Sequence, residues 1–107
     1  MLLASGCGGE ERGISSDLAE QLAVRSESVA ARLESGEFCA ARANAVALQQ
    51  QTIGAINSGR VPAELQEELL GSANALLASI SCTPPEAEEG AADDARTLAE
   101  WLRENSG

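Results

Sequence analysis

Four apolar stripes with helical spacing, separated by glycine and proline, constrain the fold of this chain more than any other feature. In each stripe, apolar residues recur every three or four positions, which places them on one face of a helix. This spacing predicts helices over about 17–34, 37–57, 62–81 and 91–104. No segment alternates apolar and polar residues for long enough to predict a strand, and none is apolar for long enough to span a membrane. The last stripe consists of Ala91, Ala95, Leu98, Trp101 and Leu102.

Helix boundary signals stand between these stripes. Ser15 or Ser16 can cap the first helix, and Ser35-Gly36 can end it. Residues 57–59, Asn-Ser-Gly, end the second helix, and Pro62 suits the first turn of the third. We therefore predict an all-α fold, a small three- or four-helix bundle around a central antiparallel hairpin of the second and third helices.

The composition agrees with helices but predicts a thin core. Alanine and leucine dominate the apolar residues, whereas the chain holds one Phe, one Trp and no Tyr. Strands prefer the β-branched and aromatic residues that are scarce here. A core of small side chains buries little apolar area, so we expect the bundle to need covalent support.

Two of the three cysteines are positioned to supply that support. Cys39 opens the second predicted helix and Cys82 follows the third. In an antiparallel hairpin these two positions meet at the open end, as disulfide geometry requires. We predict a Cys39–Cys82 disulfide, which in the chain-entropy model stabilises the fold by roughly 4 kcal/mol.

The third cysteine lies near the start of the chain, in the sequence Leu3-Ala4-Ser5-Gly6-Cys7. This segment resembles the lipobox of bacterial lipoproteins, in which small residues precede an invariant cysteine. The resemblance implies signal cleavage before Cys7 and attachment of diacylglycerol to its sulfur. It also implies an extracytoplasmic protein, held at the bacterial cell membrane by lipid alone. Disulfides persist in such oxidising compartments.

The domain organisation follows from this resemblance. Residues 1–6 would be the remnant of a signal peptide, 7–14 the lipidated cysteine with a flexible tether, and 15–107 the helical domain. A signal peptide needs a basic segment and a longer apolar run, so we expect the true start of the coding sequence to lie upstream of Met1. An acidic, proline-rich linker at 83–90 would precede the last helix.

The charge balance and missing residue types narrow the function. Seventeen acidic residues face seven basic ones, a net charge of −10, which argues against nucleic acid or an anionic membrane surface as a partner. The chain has no His, Lys or Tyr, which removes the usual acid–base groups. No catalytic motif is present, so we predict neither enzymatic activity nor a cofactor.

The acidic residues around the linker do not predict a metal site. They are dense enough to suggest calcium, but they lack the alternating ligands and turn glycine of an EF-hand loop. We interpret them as a solvated segment. The residues concerned are Glu86, Glu88, Glu89, Asp93 and Asp94.

A weak candidate binding face remains on the second helix. Gln49 projects from the middle of its apolar stripe, with Arg42 and Thr52 on the same side. Either these groups bond to another helix and reach solvent at the helix end, or the stripe is partly open and lines a ligand or partner groove. Trp101 of the last helix could contribute to such a face or dock on the bundle.

We therefore expect an envelope-anchored, non-enzymatic helical module that binds an unidentified envelope protein. The alternatives are a small-ligand or cation carrier in the envelope, using the second-helix face or the acidic linker, and a cytosolic regulatory protein with free thiols.

Overall fold

The computed structural model describes residues 13–107, and within them the chain is an all-α domain of four helices, as predicted. The helices are α1 (Ser16–Glu34), α2 (Phe38–Asn57), α3 (Ala63–Ala78) and α4 (Ala91–Glu104). Two short strands, β1 (Ile80–Ser81) and β2 (Glu86–Ala87), pair in antiparallel fashion between α3 and α4. The predicted lipid attachment at Cys7, the signal remnant at 1–6 and most of the tether at 7–14 lie outside the described residues.

The helix ends follow the local signals in the sequence. The Ser15 hydroxyl accepts a hydrogen bond from the Leu18 N–H at 3.3 Å, which satisfies one of the free donors of the first turn of α1. Gly36 and Gly59 follow α1 and α2 with φ angles of 77° and 75°. This left-handed conformation closes a helix and favours glycine, which has no Cβ to clash.

The end of α3 differs from the prediction, which extended this helix to residue 81. The helix ends at Ala78, and the chain then turns back so that Ile80 pairs with Ala87. The Glu88 N–H donates to the Ser79 carbonyl at 2.8 Å and holds this turn closed. Since the prolines within the turn lack an N–H and cannot continue a helix, the chain leaves the helical path before them. The segment predicted as a linker thus contains a β-hairpin turn.

Packing is organised around α1, whose largest interface is with α4 and whose second largest is with α2. The helix α3 packs mainly on α2 and only slightly on α4. The predicted apolar stripes of α1 and α4 are buried, except that Trp101 is only half-buried. The last helix therefore docks on the bundle, an outcome that the sequence left open. Ile53, within the predicted stripe of α2, is 39% exposed.

Small side chains allow α1 and α4 to approach closely. Ser26 is fully buried, and its hydroxyl donates to the Ala95 carbonyl at 2.6 Å. Alanines lie one turn away on either side of each partner, and all of them are buried. They are Ala23 and Ala30 on α1, and Ala91 and Ala99 on α4. This contact leaves no room for a larger side chain at Ser26.

Backbone hydrogen bonds join the start of the described chain to its end. The Ile14 N–H donates to the Asn105 carbonyl and the Gly107 N–H donates to the Ile14 carbonyl, each at 2.8 Å. The Ile14 side chain is fully buried in the core. A Cβ at Gly13 would lie 2.5 Å from the Asn105 oxygen, so only glycine fits beside this terminal bridge.

The disulfide between Cys39 and Cys82 is present, with the two Cα atoms 4.5 Å apart. It confirms the cysteine pairing and joins the first turn of α2 to the segment that follows α3. Among residues 13–107, no helix is both long and apolar enough to cross a membrane.

Candidate functional site

Gln49, the residue that suggested a binding face, bonds to another helix. Its Nε2 donates to Oδ1 of Asn74 on α3 at 2.8 Å, in an exposed position. This bond corresponds to the first of the two accounts of the polar residues in the α2 stripe. A ligand at this position would have to compete with an amide pair that is already formed.

The other three residues of the predicted face lie in different environments. Arg42 is exposed on α2, Thr52 is fully buried in the core, and Trp101 is half-buried on α4. These three side chains therefore differ in exposure, and Trp101 stands on a different helix from Gln49.

Thr52 is a polar residue in the apolar core. Its side chain is completely buried, and its hydroxyl has no hydrogen-bond partner among the described residues. An unsatisfied buried hydroxyl loses its hydrogen bonds to water without replacement.

We predict that Thr52→Val stabilises the fold by about 1 kcal/mol, because valine keeps the shape and removes the unsatisfied hydroxyl. Urea unfolding of the oxidised protein measures the free energy of unfolding. Ser26→Ala is the control, since it removes a hydroxyl that is hydrogen-bonded, and it should destabilise the fold. A loss of stability in Thr52→Val would show that the hydroxyl does have a partner.

A surface concavity of about 630 Å³ lies between α1 and α2. Val24 lies within it and is 52% exposed. We call it the α1–α2 groove, and its lining residues are Asp17, Glu20, Gln21, Val24, Arg25, Ser28 and Gln51.

Arg25 is held in place at this groove by amide groups of α2. Its Nε donates to Oε1 of Gln51 at 3.2 Å and its Nη1 to Oδ1 of Asn44 at 3.5 Å. Asn44 in turn donates to the Ser28 hydroxyl at 3.1 Å. Because the acceptors are neutral, they orient the guanidinium without neutralising its charge. The arrangement could receive an anionic or carbonyl group of a small ligand.

A second concavity of about 220 Å³ lies between α3 and α4. Its apolar part includes Trp101, and acidic residues of both helices stand beside it. We call it the α3–α4 groove, and its lining residues are Glu68, Ser72, Ala75, Leu76, Asp94, Thr97, Leu98 and Trp101.

The strongest electrostatic cluster joins α1 to α4 on the protein surface. Arg103 on α4 forms ion pairs with Glu20 at 3.0 Å and with Glu27 at 2.6 Å, both on α1. The hydrogen bonds from Arg103 lower the pKa of both carboxyl groups below their usual value of 4.5. The same bonds raise the pKa of Arg103 further above its ordinary range. Since all three groups are solvent-exposed, we interpret the cluster as a positioning contact between helices.

This cluster gives the stability of the domain a pH dependence of known sign. The pKa values of Glu20 and Glu27 are lower in the folded than in the unfolded state. Their contribution is therefore present above about pH 4.5 and is lost as the pH falls through the folded values. We predict that Arg103→Gln flattens this part of the profile of unfolding free energy against pH.

Urea unfolding between about pH 6 and about pH 3 measures this profile. The control is Arg42→Gln, which removes the same charge from an exposed site that forms no salt bridge within residues 13–107. Its profile should stay parallel to that of the wild type. If the Arg103→Gln profile is parallel as well, the depressed pKa values do not contribute to stability.

Within residues 13–107, no three acidic or cysteine side chains converge in a way that could hold a metal ion. The carboxylates around Glu88 and Asp93 lie within this range and form no such group.

The sequence and fold of the chain were compared with those of known proteins. No protein-family model, curated protein or solved structure matches it.

The sequence did not predict the amide network at Arg25 or the α3–α4 groove beside Trp101. The spacing of Arg25, Ser28 and Asn44 carries no motif, because their contact depends on the relative rotation of two helices. Trp101 was identified as a single residue, but its neighbours on α3 could be found only from the packing.

Proposed function

We propose that this chain is an envelope-anchored, non-enzymatic helical module that binds a protein partner. The observation that carries the proposal is the Cys39–Cys82 disulfide. Disulfides that support a fold are rare in the reducing cytosol and common in exported proteins. The resemblance of the sequence around Cys7 to a lipobox also supports export.

The layout that we propose for this module is an antiparallel hairpin of α2 and α3, flanked by α1 and α4. Two contacts support it. Cys39 at the start of α2 is bonded to Cys82, which follows α3, and Gln49, further along α2, is bonded to Asn74 within α3. The partners of successive α2 residues therefore run backward along the chain. Opposed directions of this kind are what a short connection between two helices of similar length requires.

We propose a non-enzymatic role because of where the ionisable groups with shifted pKa values lie. The groups with shifted pKa values are surface residues in ion pairs, and each shift has a hydrogen-bonded partner as its main cause. Active sites usually shift the pKa values of such groups by burial, whereas the main cause for Glu20, which lines the α1–α2 groove, is its hydrogen bond to Arg103. These shifts instead suit contacts that hold α1 and α4 together.

Expression from the genomic region, with the bases upstream of Met1 included, tests the location in a bacterial host that lipidates exported proteins. We expect the protein in the membrane fraction, with a diacylglycerol mass on Cys7 and an oxidised Cys39–Cys82 pair. Cys7→Ser should release the protein from the membrane without affecting the disulfide. An unmodified Met1 with three reduced cysteines would support the cytosolic alternative instead.

Chemical cross-linking in intact cells, followed by mass spectrometry, tests the binding part of the proposal. We expect cross-links to one envelope protein in reproducible positions on the helical domain. The control is the Cys39→Ala, Cys82→Ala variant, whose domain is less stable and should give fewer cross-links at those positions. Cross-links that occur equally in the control would indicate random proximity and contradict a specific interaction.

The α1–α2 groove favours a second candidate function, a small-ligand carrier. Arg25 is oriented there by neutral amides, and the volume of about 630 Å³ is within the range of ligand pockets. Native mass spectrometry of protein purified from the envelope would detect a bound small molecule. We expect Arg25→Gln to remove it and Arg42→Gln to retain it if the groove is a carrier site.

A further inference from the structure

The α3–α4 groove has an apolar floor with polar residues around it. Leu76 and Leu98 are 3% and 4% exposed and close the bottom, whereas Trp101 is half-buried at the side. The volume of about 220 Å³ is below the roughly 300–1,000 Å³ of small-molecule pockets and leaves room for one large apolar side chain. The groove is therefore too small to enclose a whole drug-sized ligand but large enough to receive a single side chain.

The groove is open because α4 packs elsewhere. The buried alanines of α4 face α1, and α4 contacts α3 only slightly. A tryptophan beside such an open seam is the residue type most enriched among the energetically dominant positions of protein interfaces. An added helix would cover Trp101 and complete the contact between α3 and α4.

The charges around the groove have one sign. Within the described residues, α3 carries Glu64, Glu67 and Glu68 and no basic residue. The two arginines of α4 are drawn to the opposite side of that helix, where Arg96 pairs with Glu34 and Arg103 with Glu20 and Glu27.

On the α3 side of α4, the groove is lined by Asp94, Thr97 and Trp101, with no arginine among its lining residues. Neither Glu68 nor Asp94 forms an ion pair with a described residue. Both carboxylates are thus available to a cationic partner.

We propose that the α3–α4 groove binds a basic amphipathic helix of a partner protein. An apolar side chain of that helix inserts against Leu76, Leu98 and Trp101, and its lysines or arginines pair with Glu68 and Asp94. This is the helix-in-groove mode of recognition, with charge complementarity at the rim. The inference rests on the proposed function, since it names the surface and the class of partner that the module uses.

A second copy of the same chain does not fit this role. The chain carries a net charge of −10, so two copies repel each other, and it contains no lysine. Arg32, Arg96 and Arg103 are already in ion pairs within one copy. Arg25, Arg42 and Arg60 lie on three different segments, so they do not form the basic face of one helix. Charge complementarity therefore selects a basic partner over self-association.

The full chain with Cys7→Ser can be titrated with a synthetic 18-residue peptide of leucine and lysine in amphipathic helical order. Trp101 is the only tryptophan, so its emission reports directly on the groove. We expect a saturable blue shift and an affinity that decreases with salt. A peptide of the same composition in scrambled order, without an apolar face, should bind at least about tenfold more weakly.

Substitutions separate the groove from general attraction to an acidic protein. Glu68→Gln with Asp94→Asn should weaken binding about fivefold in fluorescence anisotropy with labelled peptide. The control, Asp17→Asn with Glu37→Gln, removes the same charge on the α1–α2 side and should change the affinity less than twofold.

Trp101→Ala should weaken binding by about 30-fold or more, provided that circular dichroism shows an unchanged helix content. Should that variant unfold, Ser72→Arg tests the same point, because it places a positive charge at the rim of the groove without altering the core. It should weaken binding by about tenfold.

Three results would overturn the inference: no binding at about 1 mM peptide, equal weakening by both pairs of charge substitutions, or full binding by Ser72→Arg. Sedimentation that shows a dimer broken by Ser72→Arg would assign the groove to a second copy instead. None of these results affects lipidation of Cys7, membrane fractionation or cross-linking, so the proposed function would stand or fall separately.

Discussion

Replacing Cys39 and Cys82 with alanine is expected to lower the free energy of unfolding by about 4 kcal/mol and the melting temperature by roughly 20 °C. The cysteines are separated by 43 residues, and opening a loop of this length returns a large conformational entropy to the unfolded chain. Cys39 is exposed and Cys82 only half-buried, so the substitutions remove little packing. The loss should therefore come from the unfolded state.

Thermal and urea unfolding, in a background of Cys7→Ser, measure this effect. Wild-type protein treated with a thiol reductant is the matched control and should unfold at the same midpoint as the double variant. A small domain with a thin core has only about 5–15 kcal/mol of stability in total, so a loss of this size should be obvious. A change below about 1 kcal/mol would mean that the disulfide contributes little to stability.

Ser26→Leu is expected to destabilise the domain by about 3 kcal/mol or more. The substitution removes the hydrogen bond to the Ala95 carbonyl and forces a large side chain into a contact formed by alanines. Overpacking of this kind costs about 1–3 kcal/mol, and the lost bond adds about 1 kcal/mol. Ser26→Ala separates the two effects, since it loses the bond alone and should cost only about 1 kcal/mol.

Ala31→Leu is the control for added volume, because Ala31 is exposed on the same helix. It should change the free energy of unfolding by less than about 0.5 kcal/mol. Amide hydrogen exchange adds a spatial readout, with faster exchange in α1 and α4 for Ser26→Leu alone. Equal stability of Ser26→Leu and Ala31→Leu would show that α4 can move away from α1 without cost.

The helices were predictable because their signals are local. The apolar spacing of α1 and the Ser15 cap depend on neighbouring residues, and the structure places that helix within one residue of its predicted start. The Cys39–Cys82 pairing could be predicted because it follows from two helix ends and one short loop.

The features that sequence reasoning missed depend on distant parts of the chain. A two-residue ladder such as Ile80–Ser81 is too short to have a periodicity. The hydrogen bond of Ser26 joins it to Ala95, 69 positions away. The spacing of Ser26 from Leu22 and Val29 places it on the apolar face of α1, but only the packing of α4 determines its partner. The partner of Gln49 likewise depended on which residue of α3 stood opposite it.

The bridge between the two ends of the described chain has a mechanical consequence. A force applied to the chain ahead of Gly13 would first meet the two hydrogen bonds that join Ile14 to Asn105 and Gly107. The load would then be shared with the segment that follows α4, instead of unwinding α1 from its first turn. If the chain is tethered through its N-terminal segment, this bridge lets the domain bear tension while its helical faces stay folded.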